Sequence, residues 1–589
     1  MVLPYSLLLS EPARQSVGLS LRNALVLVDE AHNVPEAIRN LHSGRLTLPV
    51  VLAALEQVAA YTDRYATRLA GRNLFYLGQI RRCLLAFRKD LNDQTKTATA
   101  MKSDSSGAGA GPDTVVQRST METTSSFLVR LKLDNVNLFK LLRYLVQSRL
   151  SQKLLGFTQS RTTLDKHNDA NEGNSNDKSA ATKQRVDEKT NVHSDLGLSK
   201  HVSAMAVVQT FLEKLTSDEG KVVRDQQPPS GRLHQQQSAP QYRFVLLYPS
   251  SQMESIIQDA HTVALVGGTL RPFGHLAAEL LSPPLVDAAQ QADSFFSSGP
   301  RTTIHGPGLS AFSCTHVVPA SHVCLKRLST GPSGVPLDFR HCQRQTHRVV
   351  LELGRVLLRL VRVVPAGVVV FLPSYAYETH VVRIWQTTTY ADDTTRTASG
   401  SSRSYWDELR RYKAVYREPK SSRDIDSTLR EYSRDATSTD GGSGGALLFS
   451  VIGGKLSEGI NFANDMARAV VVVGLPYPDL TDVELQEKMR ALDCQKSSGL
   501  SGQDYYHNLC MRAVNQTVGR AIRHAQDYAA VLLLDRRYST DMRVWMSLPS
   551  WLKRQDGDGG RAGTNSQETG FGGAMSHVQR FFDDKTEAQ

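Results

Sequence analysis

The run Ala24-Leu-Val-Leu-Val-Asp-Glu-Ala-His32 joins a short, β-branched apolar segment directly to two carboxylates. Short apolar runs bounded by charge, Gly or Pro are typical of strands that are covered on both faces of a parallel sheet. The same pattern recurs along the chain, at Phe244–Leu247, Val263–Val266, Val368–Leu372, Ala446–Val451, Val470–Val473 and Val531–Leu534. Because helical patterns separate several of these runs, the sequence predicts an α/β fold with parallel sheets.

Residues 40–160 have a different pattern, in which apolar side chains recur at helical spacing. The pattern comprises Leu74, Leu77, Ile80, Leu84 and Phe87, and then Phe139, Leu142 and Leu145. We therefore predict a mainly helical insertion after the first strand. Polar stretches of low complexity cannot bury enough apolar surface to offset chain entropy, and we expect flexible loops there. These stretches are residues 94–125, 160–202, 387–403, 433–445 and 554–575.

The composition of the 589-residue chain limits the classes of protein to which it can belong. Its 40% hydrophobic content is sufficient for folded cores, which excludes a wholly disordered protein. Its formal net charge of +11 is compatible with a polyanionic partner. Six cysteines without a CxxC pair argue against a secreted disulfide framework. The most apolar stretch, 356–372, contains Arg359, Arg362 and Pro365, so neither a membrane span nor a membrane partner is predicted.

The carboxylates Asp29 and Glu30 are the first candidates for chemistry. Open α/β sheets bind ligands at the carboxyl ends of their parallel strands. At such a position Asp29 is suited to hold Mg²⁺, directly or through water, and Glu30 to polarise an attacking water, as in nucleotide hydrolysis. The alternative is an acidic loop that caps the next helix, with Asp29 near the helix N-terminus.

The segment Gln516-Thr-Val-Gly-Arg-Ala-Ile-Arg-His524 carries two arginines three positions apart. On a helix, Arg520 and Arg523 would share one face, where two guanidiniums could clamp a γ-phosphate and stabilise charge during its transfer. Gly519 would let the backbone approach closely. The alternative is a solvated basic helical turn.

Three further segments follow predicted strands. In Gly453-Gly-Lys-Leu-Ser-Glu-Gly-Ile-Asn-Phe462, glycines would let backbone N–H groups approach phosphates, although Lys455 is not followed by Ser or Thr as in a Walker A loop. Thr269 is a candidate relay between hydrolysis and nucleic acid, and Ser374 and Tyr375 are candidates for phosphate and base contacts. Each of the three segments could equally be an ordinary turn.

In this order the five segments resemble motifs II to VI of the superfamily 2 helicases of the XPD-like iron–sulfur group. They read DEAH at 29–32, GGTLRP at 267–272, VFLPSY at 370–375, GGKLSEGINF at 453–462 and QTVGRAIRH at 516–524. The sequence that flanks these segments resembles that of the ChlR-type (chromosome-loss) DNA helicases in particular. It includes VLPYSLLL at 2–9, REPK at 417–420 and LQEKM at 485–489.

The resemblance implies two RecA-like motor domains, the first incomplete, and ATP-driven 5′→3′ translocation on single-stranded DNA. It also implies roles in sister-chromatid cohesion and genome maintenance in the nucleus, with single-stranded and forked DNA and cohesin-related proteins as partners. ATP and magnesium would be the cofactors, and the family carries a [4Fe–4S] cluster. The implied domains are a first motor remnant (1–39), a helical arch-like insertion (40–240), the rest of the first motor (241–335), the second motor (336–553) and a flexible tail with a short terminal helix (554–589).

The resemblance also implies roles for individual residues. Glu30 would be the water-activating base, Asp29 the magnesium ligand, and Arg520 and Arg523 the arginine fingers. Further nucleotide-binding or coupling positions are His32, Gly268, Thr269, Glu458, Gly459, Gln516 and Gly519. The nucleic-acid-binding positions are Ser374, Tyr375, Lys455 and Ser457.

The chain also departs from the family pattern. Members carry a Walker A loop and four cluster cysteines ahead of motif II, whereas this sequence has no Gly-Lys-Ser/Thr and its six cysteines are scattered after residue 32. We therefore expect a missing amino-terminal portion, with Met1 an internal methionine or the chain a truncation. Because the P-loop supplies the N–H cradle and the lysine for the β- and γ-phosphates, we expect this chain to bind ATP weakly and not to unwind DNA.

Two other functions stay open at this point. One is a DEAH helicase that acts on RNA, since motif II is shared with such enzymes. The other is a non-catalytic nucleic-acid-binding protein that has lost its P-loop.

Overall fold

The computed structural model describes residues 1–104, 119–157, 203–217, 220–225, 240–297, 303–306, 308–314, 318–390, 403–438, 444–456, 462–494, 500–553 and 570–587, without the side chains of 95–104, 304–306 and 422. Two compact units make up the chain. Unit 1 is formed by Met1–Val266, Leu276–Val286 and Leu480–Arg490, and unit 2 by Gly267–His275, Asp287–Asp479 and Ala491–Gln589.

The described strands are numbered in chain order. They are β1 (Leu25–Val28), β2 (Gly44–Thr47), β3 (Ser119–Thr123), β4 (Gly220–Asp225), β5 (Gln241–Leu246), β6 (Thr262–Leu265), β7 (Thr303–Gly306), β8 (Leu309–Phe312), β9 (Val323–Leu328), β10 (Val368–Leu372), β11 (Ala414–Arg417), β12 (Ala446–Val451), β13 (Ala469–Val473) and β14 (Ala529–Leu534).

The described α-helices range in length from 4 to 34 residues. In unit 1 they are Tyr5–Leu9, Glu11–Ser16, Val34–His42, Leu48–Tyr65, Gly71–Asp104, Thr124–Arg130, Leu138–Ser148, Ala204–Lys214 and Ser250–Asp259. The remaining helices are Phe273–Leu280, Pro283–Ser297, His347–Val363, Tyr375–Thr387, Tyr405–Tyr412, Ile425–Thr437, Val483–Cys494, Gly502–Val518, Arg537–Thr540, Met542–Met546, Ser550–Lys553 and Phe571–Glu587. None of these described helices is both long and apolar enough to span a bilayer.

Unit 2 contains a six-stranded parallel sheet in the order β11-β12-β10-β13-β14-β9. Alternate residues of β10 pack into two cores: Val368 and Val370 pack with the helix His347–Val363, and Val369 and Phe371 with the helix Gly502–Val518. Because helices cover both faces, the central strands are buried at every residue and read as continuous apolar runs. The predicted α/β class with a parallel sheet is confirmed.

Strand β9 extends this sheet beyond the boundary suggested by the sequence. Val323–Leu328 lies within 241–335, which we assigned to the first motor domain, yet it pairs in parallel with β14 over its whole length. The assignment is wrong for this strand. Its position depends on pairing with residues about two hundred positions later, which proximity in sequence does not indicate.

Unit 1 contains one parallel strand pair and one antiparallel sheet among its described residues. The parallel pair joins β1 to β6, with Leu25 opposite Thr262 and Val28 opposite Leu265. The antiparallel sheet has the order β2-β5-β4-β3. The prediction of a parallel strand at Phe244–Leu247 is therefore wrong in type. Tyr242 and Phe244 of β5 pack in the helical core, while Val245 and Leu247 pack with Val223 of the neighbouring strand β4. Because apolar side chains are buried on both faces, the sequence of β5 resembles that of a parallel strand.

A helical core occupies the predicted insertion. Leu77, Ile80, Leu84 and Phe87 are buried in it, as their spacing indicates, whereas Leu74 of the same pattern is 38% exposed. In the helix Leu138–Ser148 the predicted Leu145 is buried and Leu142 packs against the same core, but Phe139 is 68% exposed because Leu138, Leu141 and Tyr144 take the buried positions. The predicted helix is thus confirmed, and the prediction of its buried face is wrong at Phe139.

The predicted flexible stretches differ in outcome. The helix Gly71–Asp104 continues through 94–104, and β3 lies within the stretch that ends at residue 125, so a loop is wrong at both places. The helix Ile425–Thr437 likewise continues into 433–445, so a loop is wrong there up to Thr437. Residues 105–118, 160–202, 391–402, 439–443 and 554–569 lie outside the described residues. The terminal helix Phe571–Glu587 has 17 residues and buries Ala574, Met575, Val578 and Phe582 against the sheet of unit 2. It is an integral part of that core.

A buried lysine joins the amino ends of two central strands. Lys413 is fully buried, and its Nζ donates hydrogen bonds to the carbonyl oxygens of Ala366 at 2.7 Å and Gly444 at 2.6 Å. Burial lowers the pKa of Lys413 to about 8. A neutral amine still has two N–H groups for these two carbonyls, so deprotonation preserves the contacts.

This depressed pKa predicts a pH dependence of stability. Between pH 8 and the ordinary lysine pKa near 10.5 the unfolded chain binds more protons than the folded one, so stability contributed by this site rises with pH. Relative to Lys413→Met, the wild-type protein should gain about 2–3 kcal/mol in free energy of unfolding from pH 7 to pH 10. Urea unfolding of both proteins at several pH values measures the difference. The exposed Lys420→Met variant serves as the control, and parallel curves for wild type and Lys413→Met would contradict the prediction.

Candidate functional site

The predicted carboxylate pair lies in a turn that is fixed to the end of the parallel strand pair. The N–H of Ala31 donates to the carbonyl of Val266 at 2.9 Å, and the N–H of Val266 donates to the carbonyl of Val28 at 2.8 Å. The side chains of Asp29 and Glu30 are both exposed. The turn thus holds two carboxylates towards solvent at the carboxyl end of β1, the position where α/β sheets bind ligands.

The turn has a local cause. Glu30 adopts φ +47° and ψ +46°, a left-handed conformation that is uncommon for residues other than Gly, Asn and Asp. Asp29 Oδ1 accepts the Glu30 N–H at 2.9 Å and stabilises it. Glu30 is the N-cap residue of the 3₁₀ helix Ala31–Asn33, and Asn33 is the N-cap residue of the α-helix that begins at Val34. The acidic pair thus lies next to a helix N-terminus, as in the alternative interpretation, but neither helix has a side-chain capping hydrogen bond.

Two further side chains complete the turn. His32, whose side chain is 10% exposed, places Nδ1 3.3 Å from Glu30 Oε2. Tyr5 donates its hydroxyl to the backbone carbonyl of Asp29 and, at 3.1 Å, to that of Glu30. Burial, and then the charges of Asp29 and Glu30, raise the pKa of Tyr5. Sequence reasoning assigned no role to Tyr5, because nothing in its local sequence indicates contact with a turn 24 residues away.

Gly268 and Thr269 form a turn after β6 and belong to unit 2. A Cβ at Gly268 would meet nothing within 4 Å, so packing does not require glycine there. Their proposed coupling role stays a prediction.

Ser374 and Tyr375 lie at the carboxyl end of β10. Ser374 is the N-cap of the helix Tyr375–Thr387, and its hydroxyl accepts the Tyr377 N–H at 3.2 Å. Tyr375 donates its hydroxyl to the carboxylate of Glu418. Both side chains thus have structural partners, and contacts with phosphate or base stay predictions.

The glycine-rich segment begins at the carboxyl end of β12. Gly453 has φ +68°, a backbone conformation that favours glycine. Lys455 is exposed and its Nζ donates to the carbonyl of Lys420 at 2.8 Å. Ser457, Glu458 and Gly459 lie outside the described residues.

The two arginines do not share a helical face, contrary to the prediction. The helix Gly502–Val518 contains Gln516 and ends before Gly519, which is its C-cap with φ −63°. Arg520 lies in the following turn, and the exposed Arg523 lies beyond it in the loop that leads into β14. The helix ends because Ala521 and Ile522 turn inward, where they are 1% and 5% exposed. Burial of these two residues separates the arginines into a loop.

Asp527 anchors this arginine loop. Its side chain is 1% exposed, and Oδ1 accepts Arg468 Nη1 at 3.1 Å and the Tyr528 N–H at 3.0 Å. Its Oδ2 accepts the Arg523 N–H at 3.2 Å. The guanidinium of Arg468, itself 6% exposed, also lies over the Tyr528 ring. A buried ion pair therefore holds the backbone of Arg523 in place.

The described residues differ in how well they suit the two inorganic groups that the resemblance implies. An exposed carboxylate such as Asp29 fits Mg²⁺, which proteins bind through one or two carboxylates together with substrate phosphates. An iron–sulfur cluster needs four thiolates. In the described part of the chain, no group of three or more His, Cys, Asp or Glu side chains could hold a metal. Burial also raises the pKa of Cys83 and Cys510 to about 12, which disfavours their thiolates. The described residues therefore do not fit an iron–sulfur cluster.

Two family models match the chain at the segments described above. The DEAD_2 model matches residues 1–50, which contain the carboxylate turn, and the model described as helicase C-terminal domain matches residues 357–555, which contain the glycine-rich segment and the arginine loop. The β1-β6 pair carries the first of these segments and the six-stranded sheet carries the others, and together with the two matches they indicate a chain of the helicase class.

Curated relatives specify the family. The chain is 32% identical to the ATP-dependent DNA helicases DDX11 of Danio rerio and Mus musculus, over 99% of its own length and 61% and 60% of theirs. It is 32% identical to the ATP-dependent DNA helicase chl1 of Aspergillus clavatus, over 94% of its length and 66% of that protein. A solved XPD helicase structure is similar with a TM-score of 0.45 and 15% identity, covering 94% of this chain and 71% of that one. The chain is thus a homologue of the ChlR-type DNA helicases and spans about 60% of the length of the first two relatives.

Proposed function

We propose that this chain carries the magnesium-binding, water-activating and arginine groups of an ATP-dependent DNA helicase that moves 5′→3′ on single-stranded DNA. The carboxylate turn carries this proposal, since it holds Asp29 and Glu30 exposed at the carboxyl end of a parallel strand. Asp29 would hold the magnesium ion of MgATP, and Glu30 would orient and polarise the attacking water. Magnesium would neutralise charge that develops on the phosphates.

Arg520 and Arg523 complete the proposed chemistry. Guanidiniums stabilise the charge of a transferring phosphoryl group, a role worth about 10³–10⁵ in rate. The loop that carries them is fixed at the Arg523 N–H by Asp527, which limits the reorganisation needed during the reaction. The carboxylates belong to unit 1 and the guanidiniums to unit 2.

We further propose that the activity serves chromosome cohesion and genome maintenance in the nucleus. The partners would be single-stranded and forked DNA and cohesin-related proteins. The ChlR-type sequence resemblance supports this part of the proposal, and the +11 formal net charge favours association with DNA.

Binding to nucleic acid provides the direct test, because it does not need ATP. We expect the chain to bind a labelled single-stranded DNA more tightly than the same RNA sequence, with an affinity that falls linearly on a logarithmic salt scale. Lys455→Ala should lower the salt slope by about 0.7, the value for one single-strand phosphate contact. Fluorescence anisotropy at several salt concentrations measures both quantities.

The exposed lysine variant Lys140→Ala, on the helix Leu138–Ser148 of unit 1, is the control for a general loss of charge. Preference for RNA would favour the RNA helicase alternative. Failure to bind either nucleic acid would overturn the proposal, and an unchanged slope for Lys455→Ala would remove that residue from it.

A further inference from the structure

A buried carboxylate lies where three chain segments of unit 2 meet. Glu418 follows β11 directly and is 8% exposed. Its own N–H donates to the carbonyl of Phe449 in β12 at 2.8 Å, which continues the parallel pairing one residue past the strand. The side chain therefore enters the unit at the carboxyl ends of β10, β11 and β12, where ligands bind in sheets of this kind.

Four donors converge on this carboxylate. Oε2 accepts Ser450 Oγ at 2.7 Å and the Val451 N–H at 2.8 Å. Oε1 accepts the Leu456 N–H at 3.2 Å and the Tyr375 hydroxyl. An ionised carboxylate is acceptor-only and provides about four lone-pair sites, so the donor set matches it. Two of the donors are backbone groups on either side of the glycine-rich turn.

The turn is closed tightly over this carboxylate. The N–H of Gly454 donates to the carbonyl of Val451 at 2.8 Å. A Cβ at Gly454 would lie 2.5 Å from Glu418 Oε1, so only glycine lets the turn approach this closely. Next to it, Lys455 is exposed and reaches the carbonyl of Lys420 at 2.8 Å. Glu418 thus lies on the buried side of this turn and stabilises it, and the exposed Lys455 lies on the outer side of the same turn.

We infer that Glu418 positions the Gly453–Leu456 turn so that Lys455 and the turn backbone can receive a backbone phosphate of single-stranded nucleic acid. The inference rests on the proposed function. It makes Glu418 a positioning residue, because its carboxylate is buried beneath the turn and acts through Leu456, Val451 and Tyr375.

Glu418→Gln is the informative substitution. A glutamine has nearly the same shape, but its amide group must direct N–H donors either at the Leu456 N–H or at the Val451 N–H. Both are fixed backbone donors, so either orientation places a donor against a donor and leaves a buried group unsatisfied. The turn then has to move away from its position while the chemistry of Lys455 is unchanged.

Glu352→Gln is the matched control. Glu352 is fully buried in the same unit and accepts the Ser333 N–H at 2.7 Å and Arg355 Nη1 at 2.9 Å. Its partners are not part of the glycine-rich turn. A loss of stability without a role in binding should therefore be reproduced by Glu352→Gln.

The experiment measures single-stranded DNA binding by the full 589-residue chain, with thermal unfolding of each variant as a reference. We expect Glu418→Gln to weaken binding about tenfold, the value of one charge-assisted contact, and to lower the salt slope by about 0.7. Adding Lys455→Ala to Glu418→Gln should change the affinity less than twofold, because the lysine is already displaced. Glu352→Gln should bind like the wild-type protein.

The outcomes separate the two claims. If the wild-type chain does not bind single-stranded DNA, the proposed function fails. If the wild-type chain binds and Glu418→Gln has the same affinity and salt slope as Glu352→Gln, the positioning role of Glu418 is wrong and the proposed function stands. Additive losses for Glu418→Gln and Lys455→Ala would also contradict it.

Discussion

The purified 589-residue chain should hydrolyse ATP slower than a full-length ChlR-type helicase by a factor on the order of 10³ or more, with or without DNA. Phosphoryl transfer is catalysed almost entirely by positioning and by stabilising charge on the phosphates. The chain provides Asp29, Glu30, Arg520 and Arg523 for the second task, but its sequence contains no Gly-Lys-Ser/Thr segment for the first. Without that N–H cradle and lysine, the γ-phosphate is poorly held relative to the attacking water.

A coupled ATPase assay with and without single-stranded DNA measures this expectation. The control is a chimera in which a segment that contains a Walker A loop is placed ahead of residue 1. The chimera should recover DNA-stimulated turnover and lose it again with Glu30→Gln, since Glu30 is the proposed base. Turnover by the unmodified chain at ordinary enzyme rates, on the order of 1–10³ per second, would show that another part of the chain holds the phosphates.

Asp527→Ala should destabilise the chain by about 3–5 kcal/mol. The substitution leaves the guanidinium of Arg468, 6% exposed, without its most buried acceptor. It also removes the acceptor for the N–H groups of Arg523 and Tyr528. Asp465, which is 51% exposed, still pairs with Arg468 at 2.9 Å and offsets only part of the loss, because an exposed partner is well solvated.

Urea unfolding at neutral pH measures the change in free energy. Arg434→Ala is the control, since this arginine is 72% exposed and pairs with Asp435 at the surface, and it should change stability by about 1 kcal/mol or less. Equal effects of the two substitutions would show that the Arg468–Asp527 pair does not anchor the arginine loop.

Some features of the candidate site were predictable from sequence, and others were not. The carboxylate turn was predictable, because Asp29 and Glu30 directly follow an apolar strand and must therefore lie at its end. The arginine loop was not predictable. A spacing of three residues suggests one helical face, but the helix ends at Val518 and the following residues Ala521 and Ile522 are buried. Glu418 and Asp527 carried no sequence signal either, since their side-chain partners Ser450 and Arg468 lie 32 and 59 residues away.

The amino-acid sequence by itself determined the α/β class, the existence of seven of the fourteen described strands and the order of the helicase-type segments along the chain. Those properties depend on local hydrophobicity and turn chemistry, which neighbouring residues specify. The tertiary structure decided which strands share a sheet, as for β9 and β5, and which side chains become buried acceptors, as for Glu418 beneath the glycine-rich turn. Which strands pair and which carboxylates become buried depends on contacts between segments that are far apart in the sequence. The local sequence around each strand or carboxylate does not indicate these contacts.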